Sequence, residues 1–300
     1  MSDCASAAAC AIFIEFFSGS IYCIAMYNEQ MRHNLEMLYQ AYNRRQYVHP
    51  DPLEHLYNYP LLQDREIVGL IASALAYGRV VQILRSISWL LDVMGESPYY
   101  FLQCNRPRDI QQTLAGFPRH RFAGPDHVTA LILGIKHVIE TYGSLNECFA
   151  AGDRAGAETL MPALSSFVNC LIAGGGAPGH LLAIPEKGSA CKRLHLYLRW
   201  MVRTDRVDPG GWEKIGPERL MIPLDTHMHC IGIQLGLTGR QQANWKTAIE
   251  ITDGFRRLVP DDPVKYDFTL TRFGIRADMD FCDLKERLQE CCPEQVYDHE

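Results

Sequence analysis

Two short stretches of this chain carry residue types and spacing that suit chemistry on a phosphorylated sugar. The first is IPEKGSACKR, residues 184–193, a turn containing Pro185 and Gly188 that opens the apolar, basic helix LHLYLRWMVR. Backbone N–H groups at such a helix start and the positive end of its dipole can hold an anion. Lys187, Lys192 and Arg193 surround that end, so a phosphate is a natural partner for Gly188 and Ser189. The second stretch is IPLDTH, residues 222–227, in which Asp225 takes the N-cap position of another helix. A carboxylate held at a helix start tends to stay ionised, and an ionised carboxylate stabilises the oxocarbenium-like cation that forms as a glycosidic bond breaks. Both stretches also have a plainer reading. Asp is a preferred cap, and a basic helix is commonly a solvated face.

Metal chemistry fits the sequence poorly. On a helix, residues two apart point about 200° from each other, so His227 and His229 beside Asp225 and Cys230 do not converge on one ion. Cys282, Cys291 and Cys292 match neither a zinc ribbon nor an iron–sulfur loop. No metal and no cofactor are expected.

The chain has 300 residues, 47% of them hydrophobic and 21% charged, which suits a soluble globular protein with a sizeable core. A formal charge of -6 argues against a surface coated in positive charge. It leaves room for a local basic face, because only local charge has to meet phosphate. Between Lys187 and Arg206 stand six basic residues and one acid, Asp205. Eleven scattered cysteines read as thiols of a reducing compartment. Residues 1–30 form an N-terminal extension with no Lys or Arg, interrupted by Asp3 and Glu15, which fits neither a signal peptide nor a membrane span. Met26 or Met31 is the expected natural start, and the protein is expected to be cytoplasmic, monomeric and free of membrane association.

The elements that must position these residues read as helices. Helical spacing runs from Met31 to Tyr42, and His49–Pro50–Asp51–Pro52 forms a loop. Asp64 is expected to cap REIVGLIASALAYG, which pairs with VVQILRSISWLLDVMG. Asn105–Gly124 reads as a basic, loop-rich segment with Arg106, Arg108, Arg119, His120 and Arg121. Helices follow over Asp126–Tyr142, Leu145–Ala150 and Ala155–Ile172, then the flexible AGGGAPG, a soft boundary near residues 173–180. Beyond the central stretch come helices at Asp225–Leu235 and Asn244–Leu258, one starting near Asp262, and CDLKERLQECC in the tail. No alternating run is long enough to require a sheet, so the fold class is all-α.

Several of these segments together resemble the helix-hairpin-helix DNA glycosylase superfamily, the HhH-GPD group. LMIPLDTHMHCIGIQLGLT is similar to that group's Gly/Pro-rich loop and catalytic aspartate. DREIVGLIASALAYGRVVQIL resembles its first core helix pair, and DPVKYDFTLTRFG its helix after the catalytic one. The likeness covers about Asp64 to Gly274, in the same order, and is nearest to a bacterial family within or beside that superfamily. It implies a two-lobed helical bundle, with Asp225 as catalytic aspartate and Ile184–Lys192 as a hairpin binding DNA phosphate. Base extrusion and cleavage of the N-glycosidic bond would be the chemistry. Bifunctional members add a lysine that attacks C1′ and forms a Schiff base. Here Glu186 replaces the first glycine of the usual L-P-G-V-G hairpin and Ala190 occupies the usual lysine position, so Lys192, two residues on, becomes the candidate nucleophile. The iron–sulfur cysteines are missing.

The resemblance thus implies a DNA glycosylase, with or without AP-lyase activity, acting on damaged duplex DNA. Its DNA contacts would come from Lys187, Gly188, Ser189, Arg193, His227, His120 and Arg121. A binding protein without chemistry on the same fold, or an enzyme of RNA or modified nucleosides, stays open. Tyr77, Tyr197, Trp200, Trp212 and Tyr266 are candidates for stacking on a base, although aromatics at helical spacing are more often core.

Overall fold

The apolar spacing of the sequence becomes helix almost throughout. The computed structural model describes residues 21–154, 157, 159–276 and 278–289. Its helices are α1 (Ile21–Tyr42), α2 (Leu62–Leu75), α3 (Val80–Met94), α4 (Pro98–Cys104), α5 (Pro107–Leu114), α6 (Pro125–Tyr142) and α7 (Leu145–Gly152), then α8 (Met161–Gly175), α9 (Lys192–Val202), α10 (Thr226–Gln234), α11 (Trp245–Leu258), α12 (Asp267–Ile275) and α13 (Phe281–Gln289). Among the described residues there is no β-strand, only isolated bridges at His120–Ala123 and Thr204–Pro209. The fold is all-α, and none of the described helices is long and apolar enough to cross a membrane. Residues 1–20 of the N-terminal extension, Ala155, Gly156 and Glu158 at the expected start of α8, and Cys291 and Cys292 lie outside the described residues.

One apolar cluster runs from Met31 of α1 to Leu284 of α13, with α2 at its centre. Ile67, Val68, Leu70, Ile71, Ala72 and Leu75 are buried on all sides of α2, as a helix without a polar face must be. Gly69 lets α9 approach, because a Cβ there would lie 3.1 Å from the Tyr197 ring. Tyr197, Trp200, Trp212 and Tyr266 are all buried in this core, whereas Tyr77 is only half-buried and faces a cleft. Of the five stacking candidates, only Tyr77 stays accessible to a ligand.

Local detail departs from the sequence expectation at five places. Asp64 does not cap its own helix, which begins at Leu62; its Oδ1 accepts from the Ser97 hydroxyl and the Tyr99 N–H, both at 2.8 Å, and so holds the start of α4. The basic segment after Asn105 contains α5, started by Pro107. The helix expected near Asp262 begins at Asp267, because Asp262 is turned toward Arg203. The glycines of AGGGAPG serve contact more than flexibility: Gly174 and Gly175 are the last turn of α8, where a Cβ would meet His137 at 2.1 Å and the Ala130 carbonyl at 1.8 Å. Lastly, the basic stretch after Lys187 is no solvated face, since Arg199 and Arg203 are buried.

Glycine at 134 and 175 is therefore what lets α6 and α8 pack backbone to backbone, with a Gly134 Cβ lying 2.3 Å from the Leu171 carbonyl oxygen. Gly134→Ala is expected to destabilise the fold by about 1–3 kcal/mol in urea unfolding. Gly239→Ala, where a Cβ meets nothing within 4 Å, is expected to leave the midpoint unchanged.

Candidate functional site

The local rules that start α9 and α10 bring their first turns together. The chain enters α9 through a 3-10 turn over Pro185–Lys187 and then Gly188 at φ 74, the left-handed conformation that glycine adopts freely. Ser189 Oγ accepts from the Cys191 N–H at 3.2 Å, and Lys192 begins the helix. Asp225, the expected N-cap of α10, accepts from the Met228 N–H at 2.8 Å through Oδ1. Its other oxygen, Oδ2, lies 3.2 Å from Lys192 Nζ. Residues 33 positions apart in sequence thus form one ion pair, with the Lys192 side chain 37% and the Asp225 side chain 16% exposed. A cation at a helix N-terminus opposes the helix dipole, and Asp225 offsets that.

A loop tied down at many points delivers Asp225. Arg199 of α9 pairs with Asp208 and Asp267, and Arg203 pairs with Asp205, Asp208 and Asp262. Burial would push both guanidiniums down, and the surrounding carboxylates instead hold them above their ordinary value. Asp205 also accepts from the Val207 and Asp208 N–H groups at 2.7 and 2.8 Å, folding the chain back after α9. Further along, Trp212 donates through Nε1 to Glu66 of α2 at 3.2 Å, and the Ile222 N–H donates to Thr252 of α11 at 3.1 Å. Glu66 also accepts from Leu145 and Asn146 at the start of α7; burial raises its carboxyl to about 7 while these donors pull it back.

Two cavities meet at the ion pair. The first, about 1000 Å³, is lined by Arg79, Arg121, Lys192 and Arg193 together with Tyr77, His180 and Ser189. No aspartate or glutamate lines it. The second, about 570 Å³, is lined by Asp225, His227, Asp51, Arg199, Asp267 and Arg272, and shares Tyr77, Lys192 and Thr226 with the first.

The remaining sequence candidates divide. Lys187, Gly188 and Ser189 are exposed at the turn, Arg121 is exposed at the rim of the first cavity, and His227 faces the second. His120 is completely buried, between the Ser86 hydroxyl at 2.9 Å and the Tyr77 carbonyl at 3.0 Å. Desolvation lowers its pKa, leaving a neutral imidazole that holds the cleft wall and offers no surface to a nucleic acid. Arg193 is likewise engaged: its guanidinium donates to the Ala74 and His180 carbonyls and lies 4.8 Å from the Tyr77 ring centroid. It stiffens the cleft and caps the end of α2. Arg79, Asp267 and Arg272 lie in segments that the sequence marks only as helices, and nothing local says that their side chains face the two cavities. Among the described residues, no group of His, Cys, Asp or Glu is arranged to hold a metal.

The profile of a family described as "Protein of unknown function (DUF2400)" matches residues 51–276, a span containing both helix starts and every lining residue of the two cavities except Pro50. No curated protein and no solved structure matches the chain.

The half-exposed Lys192–Asp225 pair and the buried arginine network should respond differently to mutation. Asn caps helices as well as Asp does, so Asp225→Asn removes charge while keeping the cap, and should cost at most about 1 kcal/mol. Arg203→Met leaves buried Asp208 and half-buried Asp262 with a lost partner, and should cost about 3–5 kcal/mol. Urea unfolding of the two variants beside wild type checks the contrast.

Proposed function

We propose that this chain, which belongs to the family described as protein of unknown function (DUF2400), is a DNA base-excision glycosylase of the helix-hairpin-helix type whose lysine also supports AP-lyase chemistry. The observation that carries the reading is the Lys192–Asp225 pair, 3.2 Å apart where a cationic cavity meets a charge-balanced one. An acid-free, cationic cleft suits a phosphodiester backbone, which binds through neutralised phosphates. A smaller side cavity suits a base swung out of the duplex.

In this reading Lys187, Gly188 and Ser189 meet a phosphate at the exposed turn, and Arg79 and Arg121 hold the strand along the cleft. Phe122, 59% exposed beside Arg121 and His180, supplies an apolar face where a displaced base leaves a gap in the stack. Asp225 takes a proton from Lys192 and passes it to the departing base, and the carboxylate so restored stabilises the positive charge left on the sugar. The freed Nζ attacks C1′, and the N-glycosidic bond breaks. The base leaves with the bonding electron pair and takes up a proton. Ring opening then gives a protonated Schiff base on Lys192, which borohydride reduces to a stable amine.

Oligonucleotides carrying uracil, 8-oxoguanine, thymine glycol or an abasic site provide the test. Wild type is expected to give a borohydride-trapped adduct that Lys192→Gln abolishes. Asp225→Asn should slow base release by about 10²–10⁴-fold with DNA affinity retained. Arg79→Ala and Arg121→Ala should each reduce the salt dependence of binding by about one counterion. An adduct that survives Lys192→Gln removes the nucleophile assignment. Binding with no product from any lesion leaves a nucleic-acid-binding protein on this fold.

A further inference from the structure

The second cavity contains a recognition pattern that neither the ion pair nor the helical scaffold accounts for. Asp267 and Arg272, both on α12, line it, and both are almost entirely buried, at 2% and 3% exposure. Each has only part of its hydrogen-bonding capacity satisfied. Asp267 Oδ2 pairs with Arg199, and Oδ1 has no partner. Arg272 donates through Nη2 to Asp51 at 2.9 Å, while Nε and Nη1 have none. Buried polar atoms are nearly always paired, so an unpaired acceptor and unpaired donors lining one cavity are what a ligand would satisfy.

The charge balance of the lining narrows the ligand further. Lys192, Arg199 and Arg272 are matched by Asp51, Asp225 and Asp267, three cations against three carboxylates. Neither a phosphate nor an ammonium gains from that balance. A neutral molecule does, and at about 570 Å³ the cavity falls in the range of small-ligand sites.

We infer that the second cavity binds a nucleobase of the lactam class, one offering a carbonyl oxygen to Arg272 and a ring N–H to Asp267. The assignment rests on the glycosylase reading for its setting and adds the substrate class. Uracil, hypoxanthine and oxidised guanine carry that combination. Adenine has no carbonyl, and cytosine attached at N1, as it is in DNA, has no ring N–H beside its carbonyl; each leaves the Asp267 acceptor, or the Arg272 donors, unsatisfied. Such mismatches at buried polar groups discriminate strongly. Burial raises the Asp267 carboxyl to about 6 against the pull of Arg199, and Asp225 nearby pushes it further, so at neutral pH it is still an ionised acceptor.

Calorimetric titration of the full chain with 1-methyluracil, 9-methylhypoxanthine, 9-methyladenine and 1-methylcytosine, each methyl group standing where the sugar is attached, tests this without requiring catalysis. The methylated uracil and hypoxanthine are expected to bind at least about tenfold more tightly than the methylated adenine or cytosine, the minimum expected from one matched polar contact. Arg272→Lys keeps a cation beside Asp51 while removing the fixed Nε and Nη1 donors of the guanidinium. Asp267→Asn keeps the residue's size while replacing an acceptor by a donor. Each should collapse the preference. Thermal unfolding confirms that the variants fold; if one does not, the wild-type ranking alone decides. Equal binding of all four bases, or none, overturns the assignment. Release of adenine-type lesions in preference to lactams from DNA overturns it too while leaving the glycosylase reading in place. Lactam binding with no base released from any oligonucleotide has the reverse meaning: the pocket assignment holds and the glycosylase reading falls.

Discussion

The buried arginine–aspartate network at the end of α9 is the constraint on which the site depends. Arg199 and Arg203 reach Asp205 and Asp208 in the following loop, Asp262 before α12 and Asp267 within it. Taking these charges out of water is costly, and only dense mutual pairing offsets the cost. The network therefore tolerates little displacement of α9 against the loop or α12. Tyr39 of α1 donates to Asp205 at 3.0 Å and ties the N-terminal helix to the same centre. With α9 fixed at its C-terminal end and packed on α2 along its length, the position of Lys192 is determined. With the loop fixed from Asp205 to Trp212 and again at Ile222, so is that of Asp225.

The ion pair at the junction of the cavities separates two electrostatic environments. On one side, cations line a cleft without a carboxylate; on the other, cations and carboxylates balance. In the proposed reading, a sugar held between the two has its phosphates in the first and its base in the second, with C1′ near the lysine and the aspartate. The same division explains how a chain of formal charge -6 can present a surface suited to an anion. No carboxylate lines the first cleft, while Arg79 and Arg121 at that cleft and Lys187 at the turn are exposed.

Small residues and buried polar caps do the remaining work of placement. Glycines at 134, 174 and 175 bring α6 and α8 into backbone contact, and Gly69 brings α2 against α9. Asp64 and Glu66, one turn of α2 apart from the core leucines, satisfy the open N–H groups of α4 and α7. These carboxylates act as long-range caps, holding helices that follow much later in the chain.

The all-α fold, the α9 and α10 starts and the cap at Asp225 were legible in the sequence, because helix periodicity and capping are local properties. Lys192 and Asp225 could be named as a pair from their helix starts, although nothing local sets the 3.2 Å between them. What each charged side chain faces was decided by tertiary structure alone. Asp64 reads as a cap for its own helix and serves another; His120 and Arg193 read as surface residues and are engaged in the cleft wall. Arg199 and Arg203 read as a basic face and are neutralised by aspartates up to 68 positions away. Asp267 and Arg272 lie within DPVKYDFTLTRFG, whose resemblance marked the helix but not these two side chains. Periodicity tells which side of a helix is apolar; which buried polar group meets which partner depends on distances between elements that only the folded chain sets.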